Sequence, residues 1–175
     1  MGCPAADARR TPCQGGHAMS LPPRPTADAG YLEAASRIIF MGGLNRQVVD
    51  NKWAGFRTLF HGFDVDAVAA LTPADVEAIA GDDRVIRYKA KLEAVVANAV
   101  AMQALAAAHG SFAAYVDRLY GEHGAAGAAK ALARQFAFVS EQGALHWLYS
   151  TGHDIGPVTE KVRLKYAPFE GAPPG

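Results

Sequence analysis

Two pairs of cations set the first chemical question. Arg87 and Lys91 stand one turn apart in a segment that reads as helical, and Lys130 and Arg134 stand four residues apart in another. Cations at this spacing share a helix face and can reach successive phosphate oxygens, which is the chemistry of a nucleic-acid backbone contact. For Arg87 and Lys91 a solvated helix start is an equal alternative, because Asp82, Asp83 and Glu93 offset the basic run Arg84, Arg87, Lys89, Lys91. The chain as a whole carries no basic excess: 17 Lys and Arg balance 17 Asp and Glu. A nucleic-acid surface must therefore come from local segregation of charge, and strong sequence-independent binding is argued against.

The elements that must position these groups read as helices almost throughout. With 175 residues, half of them apolar, the chain has the size and core of one domain. Residues 1–27 hold Cys3, Pro4, Gly15, Gly16, Pro22, Pro23 and Pro25 and read as a flexible leader. Residues 168–175 read as a disordered tail, which leaves 28–167 as the folded unit. Within it, helices are predicted over Tyr31–Met41, Gln47–Phe60, Val65–Leu71 behind an Asp64 cap, and from Thr72-Pro73 to near Gly81. A long helix follows over Arg87–His109, then Phe112–Tyr120 behind a Ser111 cap, a glycine-rich link over Gly121–Gly127, and a closing pair Ala128–Gln135 and Glu141–Ser150. No segment alternates with period two, so no sheet is expected. Cys3 and Cys13 are the only cysteines, which suggests a reducing, cytoplasmic setting. No apolar run reads as long enough to span a membrane, and the leader lacks a signal-peptide pattern.

Three stretches together resemble the DNA-3-methyladenine glycosylase I family, a branch of the helix-hairpin-helix DNA glycosylases. The first is Gly43-Leu44 followed by Gly55-Phe56-Arg57-Thr58-Leu59-Phe60-His61-Gly62-Phe63-Asp64. The second is Val76-Glu77-Ala78, then Val85-Ile86-Arg87-Tyr88-Lys89-Ala90-Lys91-Leu92 and Asn98-Ala99. The third is Lys130-Ala131-Leu132-Ala133-Arg134-Gln135-Phe136-Ala137-Phe138-Val139. The resemblance covers about residues 30–152. It implies an all-α, compact helical bundle of the helix-hairpin-helix glycosylase type, which flips a damaged base from double-stranded DNA and hydrolyses its N-glycosidic bond.

The same resemblance implies where a site would lie. The family's base-contacting glutamate sits six residues before the Leu of its Gly-Leu element, and Leu44 fixes that position here as Ile38. The family's pocket tryptophan, two residues after that Leu, is Arg46. The base pocket implied is thus Ile38, Met41, Leu44 and Arg46. Arg46 either stacks on a base, preferring a neutral one, or is simply solvated. The hairpin glycines of relatives become Gln135 and Ser140, and Phe136 and Phe138 between them read as core anchors rather than DNA wedges. Lys130 and Arg134 remain to meet phosphate, with Arg87 and Lys91 as a second DNA-binding pair. Asp154 is the carboxylate nearest the superfamily's catalytic aspartate, although the ungapped register places Gly156 there. A surface loop aspartate is the plainer alternative. The family's structural zinc would need Cys3, Cys13, His17 and His153 together, so the zinc is expected to be lost and no metal or other cofactor is expected.

The partner implied is double-stranded DNA with a damaged base, and no membrane. Two further readings stand beside the enzyme. One is a degenerate homologue that binds damaged DNA or a nucleobase-like ligand without turnover. The other is a protein-interaction module contacting its partner through an exposed Phe136–Phe138 turn.

Overall fold

The computed structural model describes residues 21–166. The predicted leader 1–27 and tail 168–175 fall largely outside these residues. Of the leader, residues 21–27 run without regular structure into the first helix, and Arg24 pairs with Asp117 at 2.7 Å.

The described chain is helical with no strand, as the missing period-two alternation predicts. Its helices are α1 (Asp28–Met41), α2 (Arg46–Leu59), α3 (Val65–Ala69), α4 (Pro73–Gly81), α5 (Lys89–His109), α6 (Phe112–Gln135), α7 (Glu141–Ser150) and α8 (Glu160–Tyr166). Their starts follow local chemistry. Asn45, Asp64, Ser111 and Ser140 each accept a backbone N–H from the first turn of α2, α3, α6 and α7, and Thr72 with Asp75 forms a capping box on α4. Asp28 opens α1 and also accepts the Phe112 N–H at 3.0 Å and the Ala113 N–H at 3.3 Å, which ties α1 to the first turn of α6.

Two aromatic clusters fill the core. Trp53, Phe56, Phe60 and Phe63 stack in series, with Phe40 tilted onto Phe56 at 4.6 Å. The Phe60-His61-Gly62-Phe63-Asp64 element makes this possible through a tight 3-10 turn in which His61, Gly62 and Phe63 all have positive φ. That motif therefore carries packing rather than chemistry. The second cluster gathers Tyr31, Phe112, Phe136 and Trp147, and the Trp147 indole donates to the Tyr31 carbonyl at 3.0 Å.

Four sequence expectations change. The Gly121–Gly127 link is not a loop: α6 runs through it and breaks only at Gly124, where φ is 66° and ψ is −178°. Alanines on both sides sustain the helix, so the glycines cost stability without ending it. The helix α8 was not expected, because its sequence Glu-Lys-Val-Arg-Leu-Lys-Tyr has little apolar periodicity and its contacts are tertiary. Phe136 is buried but Phe138 is not, so only one of the two aromatics anchors the core. Finally, α5 is long and apolar enough to cross a membrane by length and composition alone, contrary to the sequence reading. Leu92, Val95, Ala99 and Met102 bury its inner face, and α1, α3, α4 and α6 pack around it as the central helix of the bundle.

Candidate nucleic-acid interface and base site

The end of α1 and the start of α2 hold the implied base pocket, and the structure divides it in two. Ile38 and Met41 are buried. Ile38 faces α7: a methyl added at Gly143 would lie 3.5 Å from Ile38 Cγ2. Leu44 sits on the other side of the connection, exposed, in a groove of about 260 Å³ shared with Phe40, Gly42, Gly43, Ile86, Tyr88 and Lys91. Leu44 and Ile38 therefore serve different surfaces.

Arg46 neither stacks outward nor stands in solvent. Its Nε donates to Asp50 Oδ2 at 2.9 Å, one helical turn on, and its Nη1 donates to the Leu164 carbonyl in α8. Asp50 is shared: Arg37, buried on α1, donates to its other oxygen at 2.5 Å and lies 5.6 Å from the centre of the Trp53 ring. The α1–α2 junction is thus held by one carboxylate between two guanidinium groups. Sequence reasoning missed Arg37 and Asp50, although the Arg46–Asp50 spacing is a recognisable helix pair.

The helix α8 covers this junction. Besides the Arg46 bond, Lys165 approaches the Met41 carbonyl at 3.5 Å, and the Tyr166 ring lies 4.4 Å from the His146 ring of α7. Burial, and then the Lys165 ammonium, hold the His146 imidazole below its ordinary pKa. The α1–α2 junction beside Ile38 is thus clamped by Arg46 and roofed by α8.

The predicted cations are placed as follows. Arg87, Lys130 and Arg134 are exposed, and no carboxylate lies within ion-pair distance of them among the described residues. Lys91 differs: its ammonium donates to the Gly42 carbonyl at 2.8 Å and lies 5.3 Å from the Tyr88 ring centre and 5.9 Å from that of Phe40. Burial lowers its pKa. The α6–α7 hairpin carries Lys130 and Arg134 on its first helix, and the Ser140 hydroxyl caps α7 by accepting the Gly143 N–H at 3.0 Å.

Asp154 is exposed after α7, with Oδ1 accepting the Gly156 N–H at 2.8 Å. Its neighbour His153 is buried, with Nε2 3.0 Å from Asp117 Oδ1 and Nδ1 3.4 Å from the Thr151 hydroxyl. Both ring nitrogens of His153 thus lie against protein groups. Cys3, Cys13 and His17 lie outside the described residues, and among those described no three His, Cys, Asp or Glu side chains gather to hold a metal ion.

An all-helical bundle with a cationic helical hairpin and a recess at the α1–α2 junction is the class of protein these features define. Residues 32–144 match the methyladenine glycosylase family, and the chain belongs to it. A curated relative, the DNA-3-methyladenine glycosylase of Haemophilus influenzae, is 40% identical over 63 residues, which are 36% of this chain and 34% of that protein. The matched segment thus spans about a third of the relative's length. Among solved structures, a 3-methyladenine DNA glycosylase I superposes with a TM-score of 0.65 at 24% identity, covering 78% of this chain and 85% of that one. The Staphylococcus aureus 3-methyladenine DNA glycosylase I, solved for the basis of 3-methyladenine recognition, gives 0.68 at 18% identity over 78% and 83% of the two chains. At these identities the likeness shows the fold.

Proposed function

We propose that the chain is a DNA glycosylase that binds double-stranded DNA and hydrolyses the N-glycosidic bond of a damaged base, alkylated adenine being the first candidate. The observation that carries this reading is the family match from α1 into α7, which takes in both the pocket segment and the cationic hairpin. The named activity of the relatives supports it. An N3-alkylated adenine is cationic and a good leaving group, so the protein need only hold the flipped base and stabilise the developing sugar cation. Arg87, Lys91, Lys130 and Arg134 are assigned to the DNA backbone. Ile38, Met41, Leu44 and Arg46 are assigned to the base site, and Asp154 to the sugar cation.

A second reading, a homologue that binds lesions without turnover, is favoured by one feature. Ile38 offers no hydrogen bond to a base edge, and Arg46 is spent on Asp50 and α8.

The test is release of free base from methylated duplex DNA, run beside a mobility shift on the same duplex. Release by the wild type, reduced at least about a hundredfold in Asp154→Asn, is expected for the enzyme. Lesion-dependent binding with no release at high protein concentration selects the second reading. Absence of both release and binding at low salt, where electrostatic attraction is strongest, removes both.

A further inference from the structure

The groove beside Lys91 has features that the base site does not use. Tyr88, at the start of α5, is 48% exposed, and Phe138, at the hairpin turn, is 52% exposed. Their rings lie edge to face, 6.3 Å apart at 86°. Two large aromatics from distant segments are thereby held together in solvent, where each forgoes the burial that normally stabilises such a side chain. The backbone is constrained to keep Phe138 there: its φ is 57°, a left-handed conformation unfavourable for a phenylalanine. Buried Phe136 and Val139 on either side and Asn98 at Ala137 set the turn, and they leave the Phe138 ring in solvent.

Next to this pair lies the groove walled by Phe40, Leu44, Ile86 and Tyr88, with Gly42 and Gly43 contributing only backbone. Its volume of about 260 Å³ falls just below the range of about 300–1,000 Å³ that suits drug-sized ligands. That is room for a flat ring system of one or two rings. Lys91 supplies positive charge at the edge. One of its three donors is used on Gly42, and two remain. The groove contains no carboxylate; of the acids nearby in sequence, Glu77 pairs with Lys89 and Asp82 with Arg84, while Asp83 and Glu93 are exposed outside its walls. An apolar slot of this size, an aromatic platform and an ammonium group match a nucleobase and its phosphate in shape and charge.

We propose that Tyr88, Phe138 and the Phe40–Leu44–Lys91 groove form a second nucleobase subsite, which stacks an unpaired base of opened or single-stranded DNA. This rests on the DNA-binding reading above and shares Leu44 and Lys91 with it, while Phe40, Tyr88 and Phe138 are groups that reading does not use. The strand would lie with its base against Tyr88 and Phe138 and a neighbouring phosphate on Lys91. Sequence preference is expected to be weak, because every base has a stacking face.

The experiment uses the full chain and a fluorescein-labelled octathymidylate, followed by anisotropy at low salt. Tyr88→Ala and Phe138→Ala should each weaken binding at least about fivefold, the effect of losing one stacked base. Tyr88→Trp should retain binding and show indole fluorescence quenched as the oligonucleotide is added. Thermal melts control for folding, and both aromatics are exposed enough for the alanine variants to fold. Unchanged affinity in both alanine variants overturns the proposal, as does failure of the wild type to bind the octamer. Base release from methylated duplex is scored separately. Loss of octamer binding without any release leaves this subsite standing and removes the enzyme, whereas release with octamer binding indifferent to Tyr88 and Phe138 does the reverse.

Discussion

The side-chain amide of Asn98 makes both of its hydrogen bonds to one residue of the hairpin turn: Oδ1 accepts the Ala137 N–H at 2.7 Å and Nδ2 donates to the Ala137 carbonyl at 3.1 Å. Asn98 is buried on α5, so the central helix fixes the turn between α6 and α7. Replacing Asn98 with alanine removes both bonds. Ala137 is exposed and water can take over part of the loss, so the expected cost is about 1–3 kcal/mol. Urea denaturation should show a lower midpoint with an unchanged slope. An unchanged midpoint would mean that the turn is held by its other packing.

The residue after Ala137 tests strain separately from contact. Phe138 has φ of 57° and an exposed ring. Glycine adopts that backbone freely, whereas alanine does not. Phe138→Gly should therefore be more stable than Phe138→Ala by about 1 kcal/mol. Equal melting temperatures for the two variants would show that the turn relaxes when the ring is removed.

Much of this architecture could be read in the sequence, and the reasons are local. The Asp64, Thr72 and Ser111 caps are side chain–backbone contacts within three residues, and each is found where the spacing predicted it. The tight connection between Gln135 and Glu141 was also legible, although the helix before it begins at Phe112 and not at Ala128. What escaped was long-range. Neither the Arg37–Asp50–Arg46 arrangement with its bond to Leu164 nor the Tyr88–Phe138 pair has a period or motif, because their partners meet only after folding. The base site was placed by register on one continuous segment, and the turn at Gly42-Gly43 then sent Leu44 to a different surface from Ile38.

Gly55 shows how tightly α2 is docked. A Cβ built there would lie 2.3 Å from the Arg84 carbonyl oxygen and 2.6 Å from Arg84 Cβ. The oxygen is backbone and cannot rotate away, so the helix or the 82–88 loop must move. Gly55→Ala should destabilise by about 2–3 kcal/mol, despite alanine's better helix propensity. A chemical melt measures this, and a neutral or stabilising result would contradict the close approach.

The roof formed by α8 should respond to pH through His146. Burial and Lys165 hold the folded imidazole below its ordinary value, so the folded state disfavours the protonated form. Its contribution to stability is fully present above the unfolded value of about 6.5 and is lost as pH falls toward the lowered folded value. Amides of Glu160–Tyr166 should exchange with deuterium faster at pH 5.5 than at pH 7.5, after correction for intrinsic rates. His146→Gln should remove the difference, and its persistence in that variant would assign the effect to another group.

Position 38 gives the sharpest test of the pocket. Ile38→Glu restores a carboxylate where the family resemblance places one, in a buried setting against α7. Burial raises the folded pKa of the introduced group above the unfolded value of about 4.3, so the penalty is absent at low pH and complete above the raised value. The variant should lose about 3 kcal/mol at pH 7.5 and recover most of it near pH 4. Arg46→Trp removes the cation that opposes a cationic base and releases α8 from its bond at Leu164. Together the two changes should raise release of 3-methyladenine from methylated duplex DNA at least about tenfold over the wild type, read by chromatography of free base. The effect should be larger than that of either change alone, because the carboxylate reaches a base only once the roof is loosened. A folded double variant with wild-type release would show that the α1–α2 junction is not where this protein meets the base.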